Sequence, residues 1–113
     1  MYIDGKVWIG NNDQGERIGI IPKMVNRHGL VAGATGTGKT VTLKVMAETF
    51  SDMGIPVFMA DVKGDIAGMM NPGTDSEDMQ KRIEKFNLTN AGFAYKGYPV
   101  TLWDIYGVKG IQL

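Results

Sequence analysis

Cysteine is missing from all 113 residues, which excludes disulfides and thiolate metal sites together. Histidine occurs once, as His28, and a single imidazole without a second ligand is a poor basis for metal binding or acid–base catalysis. Because His28 precedes an apolar run, it is expected to pack or hydrogen-bond beneath a sheet. There is no excess of either charge, with twelve Lys and Arg against twelve Asp and Glu. The strong basic surplus by which many nucleic-acid-binding domains declare themselves is therefore absent, although a ring of subunits could still concentrate a few lysines along a pore. No apolar run approaches the ~20 residues that span a bilayer. The opening "MYIDGKVWIG" has neither a basic leader nor the apolar stretch of a secretory signal. These absences leave a cytoplasmic globular protein as the simplest expectation, with length for one modest core.

What is present is organised punctuation. "KVWIG" and "RIGIIP" are short β-branched and aromatic runs separated by the turn-rich "NNDQGE", and Pro22 closes the second. Residues 1–25 are read as a small N-terminal β segment. Residues 29–33 form a short apolar stretch suited to a buried strand. From Lys39 to Met53 the period becomes helical, with Leu43, Met46, Ala47, Phe50 and Met53 on one face. Gly54 and Pro56 supply the stop signal. "IPVFMAD" is a continuous apolar run of the kind found in parallel strands covered on both faces. Residues 29–61 thus spell strand, loop, helix, strand, the βαβ unit of an open parallel sheet. Further on, "SEDMQKRIEKFNL" predicts a short charged helix capped by Ser76 or Asp75, and "YPVTLWDIYG" a third core strand. No closing element is recognised in "VKGIQL". Trp8 and Trp103 are expected as core or interface fillers.

Between the first strand and the first helix lies "GATGTGKT", residues 33–40, which matches GxxxxGK[ST] through Gly33, Gly38, Lys39 and Thr40. A phosphate chain can lie against peptide N–H groups only where no side chain blocks the approach, and Gly33, Gly36 and Gly38 give that freedom. The unbonded N–H groups at a helix start add partial positive charge. Lys39 is expected to reach the β- and γ-phosphates, and the Thr40 hydroxyl to ligate Mg²⁺, a hard cation that prefers oxygen. The nucleotide-contacting set is therefore Gly33, Ala34, Thr35, Gly36, Thr37, Gly38, Lys39, Thr40 and Val41. A plain strand-to-helix turn would ask for the glycines but not for Lys-Thr after them.

Such a loop needs an acidic partner at the end of an apolar strand. Asp61 follows "IPVFMA" and Asp104 follows "YPVTLW"; neither is followed by glutamate. Asp61 is the catalytic candidate beside Lys39. Whether it faces the phosphates or serves as a turn or cap residue is open at this level, and Asp104 is the weaker candidate. Lys63, in "DVKGD", reads as a solvated loop charge at the carboxyl end of a strand, where ligands gather in open α/β sheets.

"NRHGLVAGATGTGKTVTLKVMAE" followed by "GIPVFMADVKGDIAG" resembles the bacterial HerA-like ATPases, in the HerA–FtsK division of RecA-like P-loop motors. The likeness covers about residues 18–107 and includes the Asn-Arg-His lead-in and the D-x-K-G-[DE] loop. It implies an α/β P-loop NTPase fold, a parallel sheet flanked by helices, occupying residues 26–113. It also implies binding and Mg²⁺-dependent hydrolysis of ATP, and assembly into a homo-oligomer, a hexamer in this family. Helicase-like translocation on double-stranded DNA, alongside a nuclease in the case of HerA, belongs to the same expectation. Family members are several hundred residues long, with Walker B acid, sensor and arginine finger later in the chain. The sequence is accordingly read as an N-terminal portion, of low activity by itself. Two other readings stand beside it. A stand-alone P-loop kinase or GTPase-like enzyme would use Asp61 on Mg²⁺, but there is no guanine-reading N-K-x-D motif and no arginine-rich lid. The other is a non-enzymatic, nucleotide-dependent assembly module.

Overall fold

The structure, a computed structural model, describes residues 1–112. It is a small α/β arrangement with a three-stranded antiparallel sheet, a two-stranded parallel sheet and two α-helices. The chain divides into two compact units, Met1–Phe58 with Asp75–Ala94, and Met59–Thr74 with the chain from Tyr95 onward.

In the first unit, β1 (Tyr2–Ile3), β2 (Lys6–Asn11) and β3 (Arg17–Ile20) form an antiparallel meander with β2 in the centre. The β1–β2 link is the dipeptide Asp4-Gly5, both at positive φ (52° and 73°), the backbone of a tight hairpin turn whose twist matches the strands. Asn12 organises the β2–β3 turn: its side-chain oxygen accepts from the N–H groups of Gln14 (3.1 Å) and Glu16 (2.8 Å). The register shifts between Trp8 and Gly10, and both Val7 and Trp8 are buried. Adjacent strand residues point to opposite faces, so β2 is covered on both sides. Phe86 meets Trp8 edge-on, with ring centroids 5.9 Å apart, and α1 packs against β2. Ala47 and Leu88 complete the buried apolar set.

The first helix, α1, spans Lys39–Asp52, one residue short of the expected end. Gly54, at φ 77°, reverses the chain, its N–H donating to Ser51 O (3.0 Å) while Ile55 N–H donates to Phe50 O (2.8 Å). These are the paired bonds of a Schellman stop. The expected apolar face is only partly covered, because Leu43 is exposed whereas Ala47 and Thr49 are buried. Thr49 is satisfied locally, donating to Val45 O (2.7 Å) and accepting from the amino group of Met1.

The second helix, α2, spans Glu77–Lys85, and Ser76 caps it by accepting from Met79 N–H at 3.2 Å. Asn87, at φ 50°, ends it as Gly54 ends α1, with Leu88 N–H donating to Ile83 O (2.9 Å). Replacing Ser76 by alanine leaves that N–H without its side-chain acceptor and is expected to cost about 1 kcal/mol, read as a lower denaturant midpoint that Ser76→Asp restores.

The larger departure concerns the predicted parallel strands. Residues 29–33 and 55–61 carry no strand pairing, and Leu30 (89% exposed) and Phe58 (90% exposed) stand in solvent. The βαβ unit expected over 29–61 is thus present as its helix alone. A strand is stabilised by hydrogen bonds to neighbours and by cover on its faces, neither of which an apolar run carries within itself. His28 is exposed as well, not packed beneath a sheet.

In the second unit a short 3₁₀ turn, Ala67–Met70, is joined to the later segment by Tyr98 N–H donating to Met69 O at 2.9 Å. Of the expected strand in "YPVTLWDIYG" only β4 (Trp103–Asp104) pairs, in parallel with β5 (Ile111–Gln112). β5 thus lies where no closing element was recognised; Leu113 itself is outside the described residues. Trp103 is 56% exposed and fills no core.

Candidate functional site

The residues proposed to grip phosphate, Gly33 to Val41, run as one continuous stretch from loop into helix. Gly36 and Gly38 have φ of 82° and 94°, the left-handed region where an L side chain is strained. A Cβ at either would meet nothing within 4 Å, so the backbone turns there with its face open. Gly33 through Thr37 are exposed, Gly38, Lys39 and Thr40 half-buried, and Val41 exposed. Three donors converge on the carbonyl oxygen of Ala34. They are the Thr37 N–H (3.3 Å), the Thr37 hydroxyl (2.6 Å) and the Lys39 ammonium (2.8 Å). Lys39 is thereby folded back across the loop, with further N–H donors of its ammonium to spare.

The helix start is built differently from that of α2. Gly38 is the N-cap of α1 and has no side chain with which to cap; no acidic residue occupies the first turn. The first return bond is Thr42 N–H to Gly38 O at 2.9 Å, leaving the amides of Lys39, Thr40 and Val41 as the unclaimed donors of a helix terminus. At α2, by contrast, Ser76 takes a first-turn N–H, and Glu77 and Asp78 answer the positive end of the dipole. A helix start with neither cap nor acid, a cation at its first position and two open glycines before it, is suited to an anion.

Asp61 and Asp104 belong to the second unit. Asp61 spans its own loop, accepting from Gly64 N–H at 2.8 Å and Ile66 N–H at 3.0 Å. Asp104 does the same more fully, accepting from Tyr106 (2.9 Å), Val108 (2.8 Å) and Lys109 (3.0 Å) N–H groups. Both follow one pattern, an aspartate with a glycine three positions later at positive φ, Gly64 at 76° and Gly107 at 65°. Each carboxylate is the anchor of a loop, the cap role weighed for Asp61 and the strand-end turn weighed for Asp104. Lys63 is exposed in the first of these loops.

The backbone N–H of Ile66 foremost, with that of Gly64, holds the Asp61 carboxyl below its ordinary pKa; Lys109, then Tyr106 and Val108, do so for Asp104. A carboxyl depressed by folding contributes stability above its unfolded value, here 3.8, and that contribution is lost as pH falls through the lower folded value. Amide proton resonances of Tyr106, Val108 and Lys109 are therefore expected to move together with a midpoint below 3.8, and to lose this shared titration in Asp104→Ala. A shared midpoint above 3.8 would contradict the anchor.

Sequence reasoning placed Thr37 among the nucleotide-contacting residues but did not foresee its hydroxyl bond to Ala34 O, for which residue type alone carries no signal. The anchoring of both loops was more legible, since Asp-x-x-Gly directly after an apolar run is a recognisable turn pattern.

The site, then, is a glycine-rich loop that ends in a helix start with unclaimed backbone donors and a lysine. Compared with protein-family models, the chain matches the one described as helicase HerA-like C-terminal over residues 6–113, and it belongs to that family. Neither the comparison with curated proteins nor that with solved structures finds a match. Among the described residues no helix is long and apolar enough to cross a membrane.

Proposed function

We propose that this chain binds ATP along Gly33–Val41 and contributes that site to a HerA-like ATPase. The observation that carries the reading is the uncapped start of α1, with Lys39 at its first position behind two left-handed glycines. The donors present fit a triphosphate: backbone amides for its oxygens, the Lys39 ammonium for the β- and γ-phosphates, and the Thr40 hydroxyl as one oxygen ligand for Mg²⁺. Bound Mg²⁺ would neutralise charge developing on the transferred phosphoryl group. Asp61 remains the candidate acidic residue, with lone pairs beyond its loop bonds.

Family membership supports extending the proposal to ATP hydrolysis in the full-length protein, coupled to movement of double-stranded DNA by a homo-hexamer, with a nuclease as companion. The exposed apolar runs 29–33 and 55–61 support the fold that goes with it. Leu30 and Phe58 carry apolar surface that a RecA-like P-loop sheet would cover once neighbouring strands are in place. The deciding measurement is calorimetric titration of ATP into the wild-type chain and Lys39→Ala. Affinity that is unchanged by the substitution would overturn the reading.

A further inference from the structure

We propose that Thr37 is a positioning residue of this loop, its hydroxyl taking over the Ala34 carbonyl so that Lys39 can turn to a triphosphate. The inference rests on the ATP-binding reading above. Lys39 cannot leave the Ala34 oxygen without cost, because a covered carbonyl with no donor is penalised, and a seated triphosphate would keep water from it. Thr37 supplies the replacement. Its hydroxyl lies 2.6 Å from the oxygen, closer than its own N–H at 3.3 Å, and stays in place when the ammonium departs.

Gly33 points to the same hydroxyl independently. It lacks the positive φ of Gly36 and Gly38, so conformational freedom does not explain it. Instead, a Cβ at Gly33 would fall 2.5 Å from Thr37 Oγ1 and 3.4 Å from Thr37 Cβ. Glycine at 33 is the space in which the Thr37 side chain sits. Any side chain there displaces the hydroxyl from Ala34.

The test titrates ATP and inorganic triphosphate into the full chain carrying Thr37→Val, Thr37→Ser, Gly33→Ala or Lys39→Ala, and into the Thr37→Val, Lys39→Ala double variant, with ligand carried to millimolar concentration. Thr37→Val and Gly33→Ala are each expected to weaken both ligands by about fivefold to tenfold, the scale of one hydrogen bond. Thr37→Ser should restore wild-type affinity to within about twofold, and Thr37→Val should add less than about twofold once Lys39 is gone. A general loosening of the loop would not produce that coupling. The inference is overturned if Thr37→Val binds like wild type, if Thr37→Ser is as weak as Thr37→Val, or if the loss is equal in both Lys39 backgrounds. Normal binding by Thr37→Val with impaired Lys39→Ala sinks this inference alone. Normal binding by Lys39→Ala sinks the ATP reading and this inference with it.

Discussion

Lys39→Ala is expected to weaken the proposed ATP binding by roughly 10-fold to 100-fold, and to abolish any hydrolysis that the site supports. A charge-assisted contact to phosphate in a preorganised site is worth about 3 kcal/mol, which corresponds to about two orders of magnitude. Against it stands the bond that Lys39 already makes to Ala34 O at 2.8 Å. Giving that up costs about 0.5–1.5 kcal/mol, and this subtraction sets the lower end of the range. The fold should be unaffected, because Lys39 is half-buried at the helix start and outside the packed set around Trp8. Calorimetry gives the affinity, and far-UV circular dichroism checks that α1 persists. ATP affinity unchanged in the variant would remove the lysine from the proposed site.

Trp8→Ala is expected to produce the largest loss of stability, about 3–5 kcal/mol. Trp8 is 9% exposed in a buried apolar group that, among the described residues, otherwise holds only Val7, Ala47 and Leu88. The substitution removes the edge-on contact to Phe86 and the hydrogen bond from the indole N–H to Asn11 Oδ1 at 2.9 Å. Natural domains hold about 5–15 kcal/mol in all, so a loss of this size leaves a substantial unfolded population at low denaturant. Trp8→Phe keeps an aromatic ring against Phe86 and should cost distinctly less. Urea denaturation followed by circular dichroism decides the matter. Equal midpoints for wild type and Trp8→Ala would mean that β2 is not the centre of the first unit.

The two results depend on different kinds of information. The backbone of the loop containing Lys39 follows from local chemistry: glycines that turn, amides left over at a helix start, and a lysine beside them. Both helices were legible in place, with Gly54 as a stop and Ser76 one of the two caps weighed, since those hydrogen bonds close within five residues. The hairpins were read in part. β2 and β3 were expected, whereas β1 was missed although Asp4-Gly5 is a strong turn signal. Thr37 was read only as one of the nucleotide-contacting residues; the oxygen it shares with Lys39 and the space that Gly33 leaves for it are visible only in the structure.

Sequence alone pointed to the turns of the GATGTGKT loop, to α1 within one residue and to α2, which stops at Lys85 short of the expected Phe86–Leu88, because each is held by contacts between near neighbours in the chain. Tertiary structure decided which apolar runs became core. It buried Val7, Trp8 and Leu88, and it left Leu30 and Phe58 in solvent. The physical reason is that helices and turns satisfy their own backbone, whereas a strand and a core residue are defined by partners that no local pattern specifies.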